Sequence, residues 1–489
     1  MNKNIAYIIS LISLLLIAFS LGNCSREVKE EAVYLNLADS VAYVGVETCR
    51  NCHYDKHQTF MHTGMGQSFD LAHQAKSKAE IHPDSVLYDA HKDFYYHPYW
   101  EGDSLMLSEY RLKDGDTVHS RQEQIDYIIG SGQHTNSHIY DVNGYLHQVP
   151  FTYYTQEGRF DLPPGYEDGN NTRFNRKIGL ECMSCHNSLP EFVMGSENKF
   201  EKVHLGISCE RCHGPGEIHV QQKMQGIFVD TANHIDYSIV NPAKISAELQ
   251  FEICSRCHLQ GNAVLQEGQS FFDFKPGMKL EQVMDVYLPK YKDDNSFIMA
   301  SHVDRLKMSE CYMSSQGKLT CITCHNPHKS VTTLSSTYFD NKCMQCHDVC
   351  KDEKTQNCTS CHMPSSSSTD IMHVVITDHK IGIHTSEKAE KGAFMGLFAI
   401  NNDKPTNLSK AKAYLKQYES FQANPIYLDS AFRFLQLTDN NFTAYIQYYY
   451  LRNDEKGLIN FVLSNSLDIS KYNSSDLALA YSRMGEGFT

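Results

Sequence analysis

Three things are scarce in this 489-residue sequence. Basic charge is outweighed: 44 Lys and Arg stand against 58 Asp and Glu, a formal net charge of −14. An acidic chain is a poor partner for nucleic acid, so no nucleic-acid role is expected. Long apolar runs are limited to one, from Ile5 to Leu21, preceded by Lys3. A membrane span needs about 20 apolar residues, so this run reads instead as an export signal. Cysteine and histidine are both missing from about residue 388 onward, so any thiol or imidazole chemistry lies before that point.

What is present is one spacing, repeated. Seven copies of Cys-x-x-Cys-His occur: Cys49/Cys52/His53, Cys182/Cys185/His186, Cys209/Cys212/His213, Cys254/Cys257/His258, Cys321/Cys324/His325, Cys343/Cys346/His347 and Cys358/Cys361/His362. With 17 Cys and 25 His, composition alone gives roughly 0.03 copies. Two thiols three residues apart can form thioethers with the two vinyl groups of one haem, and the adjoining histidine then lies under the iron. A zinc knuckle does not demand a histidine after every second cysteine, and a redox Cys-x-x-Cys needs a βαβ setting that the sequence does not offer. Seven covalently bound haem c groups are expected.

Residues 1–24 read as a lipoprotein-type signal. Leu21-Gly22-Asn23-Cys24, followed by the polar stretch SREVKEE, resembles a lipoprotein box that would tie Cys24 to a membrane by lipid. Residues 25–45 read as a polar tether. Of the cysteines outside the motifs and the signal, Cys311 and Cys350 could pair in an oxidising compartment or stay as buried thiols.

The expected fold class is mainly α with irregular loops, around a multihaem core spanning 46–385. A small β-rich insertion is expected at about 75–175, where DFYYHPYW, SLMLSEYRL and DTVHSRQEQIDYIIGSG alternate polar and apolar residues. Segment 260–300 reads as a loop with one helix near Leu280–Tyr287. From 388 to 489, apolar residues recur at helical spacing in LSKAKAYLKQYESF, YLDSAFRFLQL and FTAYIQYYYL, paired helices similar to tetratricopeptide repeats. The final stretch resembles a repeat cut short.

Second axial ligands are sought among the remaining histidines. His219 follows a Gly-Pro-Gly turn after the third motif, His328 follows the fifth in CHNPH, and His302 precedes the fifth. His373 and His379 lie just past the last motif. For the first haem the nearby candidates are His57, His62 and Met65, with His134 arriving from the insertion. A thioether from Met65 would raise the potential relative to a histidine. Arg173, Arg176 and Arg305 could bind an anion or neutralise haem propionates.

The series CHGPG…H, CHNPH and CHMP…TDH resembles the multihaem cytochromes c of the hydroxylamine-oxidoreductase and tetrahaem-cytochrome superfamily. Residues 43–385 resemble the exported multihaem cytochromes that carry C-terminal tetratricopeptide repeats. The resemblance implies haems in close pairs, mostly held by two histidines. It departs at one place: related nitrite reductases replace one motif histidine by lysine, and no Cys-x-x-Cys-Lys occurs here. The implied role is electron transfer between redox partners, another cytochrome or a quinol-linked membrane complex, in the periplasm or on the outer membrane of a Gram-negative-type bacterium. The alternative is an oxidoreductase acting on a small nitrogen or sulfur compound at one five-coordinate haem, with the first haem the expected place.

Overall fold

Between Phe69 and Lys177 the chain runs through strands β1 (Phe69–Leu71), β2 (Leu87–Asp89), β3 (Phe94–Glu101), β4 (Ser104–Lys113), β5 (Asp116–Ile125), β6 (Tyr127–Ile129), β7 (Thr135–Val142), β8 (Tyr145–Tyr154), β9 (Arg159–Asp161) and β10 (Arg176–Lys177). The computed structural model describes residues 34–292, 300–347, 357–368, 370–384, 392–439, 441–472 and 474–487. Cys24 and the signal, and Cys350 with its expected pairing to Cys311, lie outside the described residues.

Strand alternation sets this region. Along β4, Leu105, Leu107 and Glu109 all point inward and are fully buried. Strands β2-β3-β4-β5 form one antiparallel meander, and β1-β6-β7-β8-β10 form a second sheet with β9 added to β8. Their inner faces share a core of Phe94, Tyr96, Leu105, Leu107 and Ile125 from the first sheet, and Tyr140, Val149 and Phe151 from the second. Each fully buried Leu or Phe contributes about 1.5–3 kcal/mol. Two-residue turns close the hairpins where both central residues have positive φ: Asp114 (54°) with Gly115 (90°), and Asn143 (54°) with Gly144 (87°). Gly144 is doubly constrained, because a Cβ there would sit 2.5 Å from the carbonyl oxygen of Phe200.

The described residues are 34% helical and 21% strand, with several antiparallel sheets in the N-terminal half, so the fold is not mainly α as the sequence suggests. The alternation at 94–125 signals strands, but their extent and the second sheet outgrow a small insertion. A second source of strand lies further on. After β11 (Glu191–Phe192) and β12 (Phe200–Lys202), strands β13 (Asn262–Leu265) and β14 (Met284–Tyr291) pair, and β14 also pairs with β17 (Phe394–Ala399). The expected helix near Leu280–Tyr287 is a 3₁₀ turn, Leu280–Gln282, leading into β14. Between them in the chain, β15 (Ser365–Ser367) and β16 (Val375–Thr377) form a separate hairpin.

The motif regions are short helices: Val46–Cys52, Leu180–His186, Glu210–His213, Ala247–His258, Cys321–Cys324, Tyr338–Cys343 and Cys358–His362. A helical turn puts residues three apart on one face, which aims both motif cysteines the same way, except in the sixth motif, whose helix ends at Cys343. Ser246 caps the longest of these helices, its Oγ accepting from the Leu249 amide at 3.3 Å. Residues 34–45, the described part of the expected tether, lie against the third motif. Asn36 is buried and donates to the carbonyls of His213 (2.9 Å) and Pro215 (3.2 Å).

Beyond β17, helices Asn407–Lys416, Pro425–Leu435, Phe442–Leu451, Glu455–Ser464 and Ser474–Gly487 succeed one another. Side-chain caps from Thr406, Asn424, Asn441 and Asp454 start the first four. They pack on β14 and β17 through Tyr287, Leu397, Ala411, Tyr414, Tyr427 and Leu428. Among the described residues, no helix is long and apolar enough to cross a membrane.

Candidate cofactor-binding cavity

One continuous cavity of about 3200 Å³ runs through the motif region. Ordinary small-ligand sites occupy ~300–1,000 Å³, so this space suits several large bodies rather than one. Every motif cysteine and histidine lines it except Cys361. Motifs distant in sequence meet along it. The Cys185 thiol points at the carbonyl of Arg256 at 3.9 Å, and Cys257 returns the contact to Ser184 at 3.8 Å, joining the second and fourth motifs. The thiols of Cys49 and Cys209 lie close enough to perturb one another, and so do those of Cys254 and Cys321.

The imidazoles are arranged in facing pairs. His53 and His219 have ring centres 6.3 Å apart with planes 22° from parallel. His213 and His328 lie 6.1 Å apart at 19°, and His325 and His379 lie 6.2 Å apart at 28°. His302 stands between His258 (5.4 Å) and His379 (4.7 Å), steeply inclined to both. Each of the three near-parallel pairs joins a motif histidine to one outside the motifs. With metal–nitrogen bonds of about 2.0–2.1 Å on either side, two imidazoles facing across one metal ion hold their ring centres roughly 6 Å apart. Simple ring packing also covers such separations, but it does not explain which nitrogen each ring leaves free.

In four of the cavity imidazoles Nδ1 is the occupied nitrogen, whereas in His186 and His302 it is buried without a partner. His213 Nδ1 donates to the carbonyl of Val240 (2.8 Å), His379 Nδ1 to Thr377 (3.1 Å) and His362 Nδ1 to Gly382 (3.1 Å). His219 Nδ1 donates to Ser238 Oγ at 2.9 Å, and that hydroxyl donates to Asp236 at 2.5 Å. An acceptor at Nδ1 fixes the tautomer and leaves Nε2 with a lone pair, the arrangement that orients a metal-ligating histidine. Burial favours the neutral form of most of the cavity imidazoles. It pushes His302 down to about 2 and His325 to about 4, and lowers His186, His213, His219, His258, His328 and His379. Neutral imidazole is the ligating form. Among the described residues, no three His, Cys, Asp or Glu side chains converge as a bare metal centre requires. Facing imidazoles beside thiol pairs fit a planar, thiol-anchored metal group better.

The other sequence candidates are distributed unevenly. His57, Met65 and His134 line the cavity, and His134 Nδ1 is buried without a partner. His62 is exposed and does not line it. His373 is also outside the lining: Nδ1 contacts Glu157 at 2.9 Å and Nε2 contacts Asp161 at 3.1 Å, so both ring nitrogens are taken. His347 and His186 line the cavity without a facing imidazole among the described residues. The arginines also separate. Arg173 pairs with fully buried Glu109, and Arg305 with Asp378, so their charges are met by protein carboxylates. Arg176 has none among the described residues; it donates to Gln148 (2.9 Å) and Pro164 (2.8 Å) over the ring of Tyr166. The sequence reading missed Asp236 and Ser238, which no local signal ties to His219. It also missed Arg211 and Arg256, although both precede the second cysteine of a motif.

No family model matches this sequence. It is 26% identical over 202 residues to the multiheme cytochrome MtrA of Shewanella baltica, a match covering 38% of this chain and 56% of that protein. The chain thus spans little more than half the length of that relative. The crystal structure of the outer cell wall cytochrome OcwA aligns over 91% of this chain and 100% of that one, at 12% identity and a TM-score of 0.44.

Proposed function

We propose that this chain is an exported multihaem c-type cytochrome that carries electrons between redox partners. The reading is carried by the three near-parallel imidazole pairs, each joining a motif histidine to a second histidine. Bound haem supplies a one-electron iron couple that cycles without bond making when both axial positions are filled. The chain's own residues do the rest. The fourteen motif cysteines anchor seven groups, and the motif histidines hold one side of each iron. His219 serves the first motif, His328 the third, His302 the fourth and His379 the fifth. Carbonyls of Val240, Thr377 and Gly382 orient His213, His379 and His362, and burial favours the neutral form of the first two. The named cytochrome relative adds support.

Export follows from the leader, with lipid on Cys24 as the anchor. The C-terminal helices, repeat-like in the sequence, form the docking array for another cytochrome or a quinol-linked membrane complex. The intact mass of the exported protein should exceed the processed polypeptide by seven haem masses. Five or fewer would remove the count, and none would remove the reading.

A second reading has one observation in its favour. No imidazole faces His186 among the described residues, and the same cavity is lined by His134, Ser137, Gln148, Gln156 and Arg176, the last of them close to Cys182. An open axial position beside those polar groups suits a small nitrogen or sulfur compound, which moves the catalytic alternative from the first motif to the second. Nitric oxide binding to one iron of the untreated protein, abolished with Cys182→Ser and Cys185→Ser, supports it; no binding excludes it.

A further inference from the structure

Arg211 and Arg256 hold the same position in two motifs, Cys-Glu-Arg-Cys-His and Cys-Ser-Arg-Cys-His. Both line the cavity where the second, third and fourth motifs meet. Arg211 Nη2 donates to the carbonyl of Ser184 inside the second motif (2.8 Å), and Arg256 Nη2 donates to Phe271 (2.5 Å). Aromatic faces back them, Phe272 at 4.8 Å from Arg211 and Phe271 at 6.0 Å from Arg256. Arg256 is only 5% exposed, and the Nε atoms of both are buried without a partner.

Neither guanidinium meets a carboxylate among the described residues. The nearest acid in sequence, Glu210, is already used: it accepts from the amides of Val44, Gly45 and Gly216, each at 2.9 Å. The other strongly buried arginines behave differently. Arg305 is paired with Asp378, and Arg483 with Glu419. Two adjacent cations without acids are costly in a dry interior unless something there gains from positive charge. Burial and its neighbour Arg256 both work against the charge of Arg211.

We infer that Arg211 and Arg256 are a fixed dication that makes the groups on the second and fourth motifs easier to reduce than their neighbours. The inference rests on the proposed loading of those motifs. The step is uptake of one electron at each iron from a reduced redox protein, with no bond made or broken. The added negative charge is stabilised by two guanidiniums that neither move nor exchange protons. The arginines act through the field and are positioning residues, not ligands. The junction of three motifs would therefore hold electrons between deliveries.

The test uses the full, loaded chain, with intact mass and low-temperature spin state as checks on loading and ligation. Redox titration of Arg211→Gln and of Arg256→Gln should lower two midpoints, while Arg211→Lys and Arg256→Lys retain them. For a unit charge at an effective dielectric of about 20, the ferrous-to-ferric ratio at fixed poise should fall roughly tenfold or more. Unchanged midpoints in both Gln variants overturn the inference, and so does an equal fall in the Lys variants. Should the Gln variants fail to load, the wild type decides. Buried charges are poorly screened, so its two highest midpoints should hold steady from low to molar salt, and a salt-dependent pair overturns the idea. A wild type lacking haem mass would instead overturn the proposed function.

Discussion

Arg305 and Asp378 form a bidentate ion pair, Nε to Oδ1 at 2.9 Å and Nη2 to Oδ2 at 2.5 Å, with both side chains buried. The pair fastens the helix His302–Lys307, which begins with one cavity imidazole, to the residue just before another, His379. Its position gives a local ion pair control over two rings that stand 4.7 Å apart.

Asp378→Asn keeps the shape but removes the charge that answers Arg305. Breaking a buried pair costs about 3–5 kcal/mol. Hydrogen–deuterium exchange should accelerate in residues 302–307 and 375–379 while the β sheets around Leu107 keep their protection. Uniform acceleration across the chain would refute a local fastening role.

His219→Ala should turn one iron high-spin, and that iron should be the first motif's, because His219 faces His53 rather than the motif histidine nearest in sequence. Low-temperature electron paramagnetic resonance reads the change. Adding Cys209→Ser and Cys212→Ser separates the choices. The high-spin signal persists if His219 serves the first motif and disappears if it serves the third.

Glu109 ties the pH response of the first sheet to Arg173 and His119. Burial pushes its carboxyl up, but hydrogen bonds from Arg173 and His119 outweigh burial and leave it below the ordinary range. A depressed carboxyl contributes stability that is complete above the unfolded value of about 4.3 and is lost as pH falls through the native one. Denaturant midpoints of the β region should therefore drop in acid. Glu109→Gln should flatten that dependence and cost about 2–4 kcal/mol at neutral pH, somewhat below a fully buried pair because Arg173 is 34% exposed.

Gly144→Val should destabilise the β7–β8 hairpin. The backbone there has φ of 87°, and the new Cβ would press on Phe200 O. Left-handed backbone alone costs roughly 1–2 kcal/mol for a residue with a side chain. Thermal unfolding of the loaded protein should start earlier, whereas Gly115→Val, with open space around its Cβ, should show only the backbone part.

How much of this could be read from the chain depends on how local each signal is. A motif of five contiguous residues needs no fold to be recognised, so the cysteines and first histidines stand out. Strands β3 to β5 declare themselves by alternation, because one face meets a core and the other does not. Strand β14 gives no such sign. Met284, Asp285, Val286 and Tyr287 are all buried, since the strand is central and covered on both faces, and its continuous run reads as a helix. The second histidines fall between these cases. Turns beside motifs mark His219 and His328 as candidates, but the partner of each is a long-range matter that spacing does not carry. His373 has the same local appearance as His379, and only the fold gives it Glu157 and Asp161 instead.

The crossing of imidazoles between motifs sets an order of assembly. Thioether attachment at Cys49 and Cys52 needs only the motif itself, so it can proceed on a chain that has barely emerged. The facing ring, His219, comes from beyond both β sheets and the second and third motifs. On the proposed reading the first iron spends the whole synthesis of that β region with one side open, and it closes only once the third motif has docked. On that reading the first cofactor waits over the longest stretch of chain, from His53 to His219, for its second ring, and a chain stalled inside the sheets would carry a reactive iron at its leading end.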